Sequence, residues 1–283
     1  MYPMYDFENE KPSGAGASAR TPRGDTPGTP HAALTFLELP RGAGAFAVSH
    51  AAGLVGRKHR SGHGRPVLVI PGFRADDRLT GRIRSHLKRH DFHVHGWGLG
   101  PNIGLTDSLI DGLVERFETL RKQYDEPVSI VGWSFGGLLA RWLAHTYPDD
   151  VRQIVCLGSP WRAEGERTRA TAMFERSRRK HGISDRAKPM VDALREQVPV
   201  PVTAIYSKSD GITSWAGCAV DPSVDPPAEN IVVPSSHIGL VANPLVLNVV
   251  VDRLCQDPAD WQEFTWPNAL RRSWPLARKS SRP

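Results

Sequence analysis

The stretch Val128-Ser-Ile-Val-Gly-Trp-Ser-Phe-Gly-Gly-Leu-Leu-Ala-Arg141 decides how the rest of the chain is read. Val128 to Val131 is a short apolar run rich in β-branched side chains, the pattern of a buried strand, and Leu138 to Ala144 is apolar and helix-permissive. Between them, Gly132-Trp133-Ser134-Phe135-Gly136 has the form G-x-S-x-G. A serine held on so tight a strand-to-helix turn needs neighbours without a Cβ two residues before and two residues after it. Ser134 then projects from the end of the strand with its Oγ exposed. The Phe135 N–H opens the following helix, where backbone donors and the helix dipole favour developing negative charge. The plainer reading, a turn that happens to carry a surface serine, needs no such flanks.

Outward from this turn, strands and helices alternate. Val67 to Ile70 is a continuous apolar run, as expected of a strand covered on both faces in a parallel sheet, and Pro71-Gly72-Phe73 ends it. Leu79 to His90 carries Leu79, Ile83 and Leu87 at helical spacing. Phe92 to Trp97 reads as a strand and Ile110 to Tyr124 as a helix. Strands follow at Gln153 to Leu157, Val202 to Tyr206 and Asn230 to Val233, and Leu245 to Leu254 closes with a helix. This order predicts an α/β fold with one doubly wound, mostly parallel sheet. The exception is residues 159–201, a strandless interval too long for an ordinary connection. It holds ten Arg or Lys against six Asp or Glu and is expected to form a helical cap over the sheet's functional edge; a solvated pair of surface helices is the alternative.

The flanks differ in composition. Residues 1–33 are rich in Pro, Gly, Ser, Thr and Ala, which cannot offset their own ordering entropy, and are expected to be disordered. Leu34 to Val55 suggests one or two loosely specified helices on the flank of a domain spanning 34–257. Residues 258–283 combine Trp261, Phe264, Trp266 and Trp274 with Arg271, Arg272, Arg278 and Lys279. They are expected to be a partly docked, frayed tail, with weak contact to a membrane surface as the alternative.

Bulk properties narrow the function classes. The chain has 283 residues, 40% of them hydrophobic, enough for a substantial core. A net charge of +6 without a long basic run argues against a nucleic-acid partner. Cys156, Cys218 and Cys255 are an odd number without C-x-x-C spacing, so no metal site is expected; Cys156 reads as a small buried hydrophobe, and a Cys218–Cys255 bridge stays open. No segment approaches 18 uninterrupted apolar residues and no basic-then-apolar leader is seen, so a cytoplasmic location is expected. Gly98 to Gly104 follows a strand, but its third glycine is one residue late and Pro101 removes a donor, so no dinucleotide is expected there. Trp97, Trp161 and Trp215 are candidates for lining a pocket, or else for packing against the sheet.

A serine hydroxyl becomes a useful nucleophile when a base takes its proton and a carboxylate holds that base. On a fold that presents the nucleophile this way, the partners follow in the order Ser, acid, His, on loops at the C-terminal ends of strands. Asp210 follows the strand ending at Tyr206. Asp221 and Asp225 share its region, in Pro-rich surroundings that read as turns. His237 follows the strand ending at Val233, whereas His145 and His181, the other downstream histidines, fall in the serine's helix and in the insertion. The second oxyanion donor, beside the Phe135 N–H, is expected at Phe73, where Gly72 lets the backbone approach.

Val-Leu-Val-Ile-Pro-Gly-Phe73, Gly-Trp-Ser-Phe-Gly-Gly137, Leu-Gly-Ser-Pro-Trp161, Tyr-Ser-Lys-Ser-Asp-Gly211 and Ser-Ser-His-Ile-Gly-Leu240, in this order, resemble the α/β-hydrolase superfamily. Within it they look most like bacterial esterases and lipases of the triacylglycerol-lipase type. The resemblance covers roughly residues 65–255. It implies a Ser134, Asp210, His237 triad, an oxyanion hole at Phe73 and Phe135, a small-molecule or lipid ester as substrate, and no metal or organic cofactor. The chain carries Pro71-Gly72 where many lipases have His-Gly. The same triad would serve a thioesterase or an acyltransferase, and a catalytically silent binding protein on the same fold is the alternative from another class.

Overall fold

A computed structural model describes residues 30–52, 60–161, 169–187, 190, 196, 198–221 and 227–266. Six strands form one all-parallel sheet in the order β2-β1-β3-β4-β5-β6. They are β1 (Pro66–Ile70), β2 (His93–Gly96), β3 (Val128–Trp133), β4 (Val151–Leu157), β5 (Val202–Tyr206) and β6 (Ala228–Val232). The expected strands are all present, with ends shifted by one or two residues.

The continuous apolar runs have a direct structural reason. Successive side chains of a strand point to opposite faces, and both faces here are covered. Leu68, Ile70, Ile130, Ile154, Cys156, Val202 and Ala204 belong to one core cluster. Their neighbours in the chain, Val67, Val69, Val131, Val155, Leu157 and Ile205, belong to the other. Over the first face lie Ile110, Leu113, Phe117 and Leu120 of one helix and Leu139, Ala140 and Leu143 of the helix after Ser134. Ile83 and Leu87 cover the second, together with Val246, Leu247, Val250 and Leu254 of the closing helix.

The helices are α1 (Ala32–Phe36), α2 (Glu38–Ala52), α3 (Gly81–Lys88), α4 (Asp107–Gln123), α5 (Phe135–Thr146), α6 (Arg169–His181), α7 (Trp215–Cys218) and α8 (Pro244–Cys255). Helix α4 starts one turn earlier than its apolar stripe, because the Thr106 hydroxyl accepts from Leu109 N–H and caps it. Asn243 caps α8 with Pro244 in the first turn. No helix among the described residues is long and apolar enough to cross a membrane.

The chain leaves β1 for β2 on one side and then returns to place β3 on the other. Such a reversal opens a crevice at the carboxyl ends of the two strands, the usual ligand position in an open α/β sheet. Here those ends carry Pro71-Gly72-Phe73 and Ser134. Part of the 159–201 interval is α6; Ser177 Oγ donates to the Ile103 carbonyl at 2.7 Å and Ser184 N–H to the Leu105 carbonyl at 2.9 Å. Arg141, buried inside α5, donates to the Glu196 carbonyl at 2.8 Å and lies over the Trp161 ring.

The cysteines are all free, so the Cys218–Cys255 bridge is not formed, and Cys156 is buried in the core as expected. The disordered tail expected over residues 1–33 falls almost wholly outside the described residues, as do Arg271, Arg272, Trp274, Arg278 and Lys279. The preceding segment is docked: Trp266 is buried and meets Phe264 edge to face. Its anchor is ionic. Glu229 accepts from Phe264 N–H at 2.7 Å, Thr203 Oγ1 at 3.1 Å and Arg253 Nη1 at 3.1 Å, all within the protein. Arg253→Met would strand the Glu229 carboxylate without its cation. The expected loss of stability is about 3–5 kcal/mol, measured by urea denaturation.

Candidate active site

Ser134 sits between β3 and α5 with φ 53° and ψ −123°, a left-handed conformation that a residue with a Cβ rarely adopts. Packing around it enforces that geometry. A Cβ on Gly132 would lie 2.4 Å from Gly136 O and Gly137 Cα, and one on Gly136 would lie 2.3 Å from Ile70 O. Both flanking glycines are therefore required, the first by the turn's own backbone and the second by β1. Ser134 N–H donates to Leu157 O at 2.8 Å, tying the turn to β4.

Asp210 lies on the loop after β5 and has every acceptor position in use. Its Oδ1 accepts from the N–H groups of Ile212 and Thr213, both at 2.8 Å. Its Oδ2 accepts from Thr213 Oγ1 at 3.0 Å and faces His237 Nδ1 at 2.6 Å. Of the three aspartates weighed for this position, Asp210 is thus the one against the imidazole; Asp225 lies outside the described residues. His237 precedes a short 3₁₀ turn, Ile238–Val241, and its carbonyl accepts from Trp133 Nε1 at 3.1 Å. The Trp133 ring lies 5.6 Å from the imidazole, between the serine's strand and the histidine's loop.

His237 is fully enclosed. Burial alone would push its pKa down, but the Asp210 charge and hydrogen bond, aided by the Glu38 charge, outweigh burial and raise it above the ordinary 6.5. The Asp210 bond fixes Nδ1 as the proton-bearing nitrogen of the neutral ring, leaving Nε2 as the acceptor.

Ser134 and His237 line one cavity of about 410 Å³. Its walls include Phe73, Leu105, Phe135, Leu138, Trp142, Met173, Met190 and Ile238, with Arg74 and Glu175 as its charged members. Phe73 and Phe135 meet edge to face at 6.2 Å beside the serine, and a Cβ on Gly72 would lie 3.0 Å from that of Ser134. Met173 and Glu175 come from α6, so the insertion forms part of the wall. Of the two readings for Trp97, Trp161 and Trp215, packing against the core rather than lining this cavity holds: Trp97 donates to Gly100 O, Trp161 donates to Ala219 O, and Trp215 stacks on Tyr206. Trp133 and Trp142 take that place. Trp133 ends β3 and Trp142 lies in α5, but which of their faces meet the cavity is set by the sheet and not by local spacing.

Sequence reasoning also missed Glu38 and Arg41 of α2. Glu38 Oε1 accepts from Gly211 N–H at 2.7 Å and His237 N–H at 3.1 Å. The available signal was that Glu38 is the only carboxylate between His31 and Val55 in an otherwise apolar, Gly- and Ala-rich segment.

Comparison with known proteins places this geometry in context. A family described as alpha/beta hydrolase fold matches residues 66–178, which include Gly72-Phe73 and the Ser134 turn but neither Asp210 nor His237. The lipase LipV of Mycobacterium tuberculosis is 32% identical over 115 residues, covering 36% of this chain and 40% of that protein. A pimeloyl-[acyl-carrier protein] methyl ester esterase of Shewanella woodyi is 26% identical over 98 residues, covering 35% of this chain and 37% of that protein. The chain thus spans about 40% of the length of the curated relatives it matches. Among solved structures, a metagenome-derived lipolytic enzyme of the LipS and LipT study superposes with a TM-score of 0.52 at 16% identity, covering 69% of this chain and 95% of that one. The 2-hydroxy-6-oxo-6-phenylhexa-2,4-dienoate hydrolase of Rhodococcus sp. strain RHA1 does so with a TM-score of 0.51 at 15% identity, covering 69% and 92%.

Replacing Asp210 by Asn removes the larger of the two charges that oppose burial. The His237 imidazole in that variant is expected to titrate at lower pH than in the parent, followed by NMR of histidine-labelled protein; an unchanged titration would rule out the Asp210 carboxylate as the source of the shift. The all-parallel sheet, its strand order and these similarities show that the chain has the α/β-hydrolase fold.

Proposed function

We propose that the protein hydrolyses carboxylic esters of apolar acids through an acyl-enzyme intermediate. The observation that carries this reading is the buried 2.6 Å contact between Asp210 and His237, with His237 and a backbone-strained serine lining one largely apolar cavity. Ser134 Oγ attacks the ester carbonyl carbon while His237 Nε2 takes its proton. Asp210 holds the imidazole's orientation and stabilises the imidazolium that results. The tetrahedral oxyanion sits toward the Phe135 N–H, at the N-terminus of α5, and the Phe73 N–H after β1. Losing one such donor typically costs on the order of 3 kcal/mol of barrier.

Collapse of the intermediate expels the alcohol, which leaves with the proton from His237, and the acyl group stays on Ser134. A water then enters, gives its proton to His237 and attacks the acyl carbon. The acid departs, and Ser134 Oγ recovers the proton. Phe73, Leu105, Leu138, Trp142 and Met190 suit an apolar acyl chain. Thioesters present the same carbonyl to the same groups, so acyl-CoA assayed beside simple esters separates the two substrate classes.

Ser134→Ala is expected to lower turnover of a p-nitrophenyl ester by on the order of 10³-fold or more, with the fold retained by circular dichroism. It also abolishes labelling by a fluorophosphonate probe, and undiminished turnover would exclude Ser134 as the nucleophile. The pH dependence has a definite sign. The base works in its neutral form, and its pKa is raised, so activity is lost as pH falls through a value above 6.5. The acid limb of kcat/KM should therefore lie on the alkaline side of an ordinary histidine.

A further inference from the structure

Helix α2 reaches across the protein to the two loops that carry Asp210 and His237. Glu38, only 3% exposed, sends its carboxylate between them. Its Oε1 accepts from Gly211 N–H at 2.7 Å and from His237 N–H at 3.1 Å, and its Oε2 accepts from Ile238 N–H at 3.2 Å. One turn later, Arg41 makes the complementary contacts to carbonyls. Its Nη1 donates to Ser209 O at 2.8 Å, and its Nη2 donates to Ser209 Oγ and Ser235 O, both at 2.8 Å. A single helical turn therefore holds residues next to the acid and residues next to the base, taking N–H groups with a carboxylate and carbonyls with a guanidinium. The helix also packs closely against the base loop: a Cβ on Gly42 would lie 2.8 Å from Ile238 Cγ2.

We propose that Glu38 is a positioning residue for the hydrolytic reaction, a second buried carboxylate that locks the acid loop to the base loop and acts on catalysis through His237. This inference rests on the ester-hydrolase reading above and adds to it a residue some hundred positions upstream of the nucleophile. The physical argument is one of cost. A carboxylate is buried stably only where donors satisfy it, and three backbone N–H groups from two loops do so here. Those loops are consequently held at one separation, which is the separation the Asp210–His237 hydrogen bond requires. A side chain serving only to fasten α2 would need no contact with the histidine's own N–H.

The Glu38 charge also acts on the imidazole, in the same direction as Asp210. Among the described residues, the charged and titratable groups in the surroundings of His237 are Asp210 from the loop after β5, Glu38 and Arg41 from α2, Cys218 of α7 against Thr213, and Arg74 and Glu175 on the walls of the cavity that His237 lines. Asp210 and Glu38 supply the charges that raise its pKa.

The test compares Glu38→Gln with the parent full-length chain. Glutamine keeps the shape and one acceptor but removes the charge, and its amide nitrogen cannot accept from a backbone N–H. The variant is expected to fold, to titrate His237 at lower pH by NMR, to move the acid limb of kcat to lower pH, and to lose about ten-fold in kcat for a p-nitrophenyl ester through a loosened base, with KM near the parent value. Fastening of α2 alone would leave the His237 titration where it was. Unchanged titration together with unchanged kcat would overturn the proposal. If Glu38→Gln does not fold, Glu38→Asp decides: it keeps the charge and shortens the reach, so it should hold the raised titration while lowering kcat, and parent-like kcat in it would overturn the positioning role. Fluorophosphonate labelling of the parent at Ser134 keeps the two readings apart. A parent that neither labels nor turns over ester refutes the hydrolase reading, and the NMR titration of Glu38→Gln then decides by itself whether Glu38 governs the imidazole.

Discussion

The close approach of α5 to the ends of β1 and β3 is the constraint on which the rest of this structure depends. Helix and strands come together within a distance that no side chain could occupy, since a Cβ on Gly132 would meet the first turn of α5 and one on Gly136 would meet the carbonyl of Ile70. With both glycines in place, Ser134 is the residue left to make the turn, and it does so at positive φ. A strained backbone of this kind costs of order 1–3 kcal/mol and persists only when its surroundings over-determine it. Those surroundings are the two buried, largely apolar faces of the sheet, which hold β1, β3 and α5 around the turn.

Charge is handled differently at the rim of the sheet. Asp210, His237 and Glu38 are all buried within a few ångströms of one another, an arrangement that would be unfavourable without partners. Each is satisfied by a different device. Asp210 takes two backbone N–H groups, a threonine hydroxyl and the imidazole. Glu38 takes backbone N–H groups alone. His237 balances desolvation against the two carboxylates, and the balance falls on the side of the charged ring. The same loops are cross-linked again by Ser207, whose hydroxyl donates to Ser235 O at 2.7 Å and accepts from Ser235 N–H at 3.1 Å. The loops on either side of the imidazole are thus tied together at several points.

The C-terminal end of the described chain follows the same logic away from the site. Glu229 on β6 and Arg253 on α8 form a buried pair that also receives Phe264 N–H and lies beneath the Phe264 ring. Phe264 is held at this pair through its N–H and its ring, contacts that depend on β6 and α8 and leave no trace in the spacing of its own segment.

Local chemistry made much of this molecule legible from its residues alone. Apolar runs marked the central strands β1, β3 and β5, because burial on both faces of a parallel sheet leaves little room for alternation, whereas the edge strand β2 alternates. The G-x-S-x-G turn was legible because its sterics lie within five residues, and Asp210 and His237 because each directly follows a strand. The partnering of Asp210 over Asp221, the choice of Trp133 and Trp142 over Trp97, Trp161 and Trp215 for the cavity wall, and the insertion of Glu38 between two distant loops were decided by tertiary structure. These depend on which side chains converge from separate elements, 27 residues apart for Asp210 and His237 and 199 for Glu38 and His237, and periodicity within any one element carries no information about what packs against it.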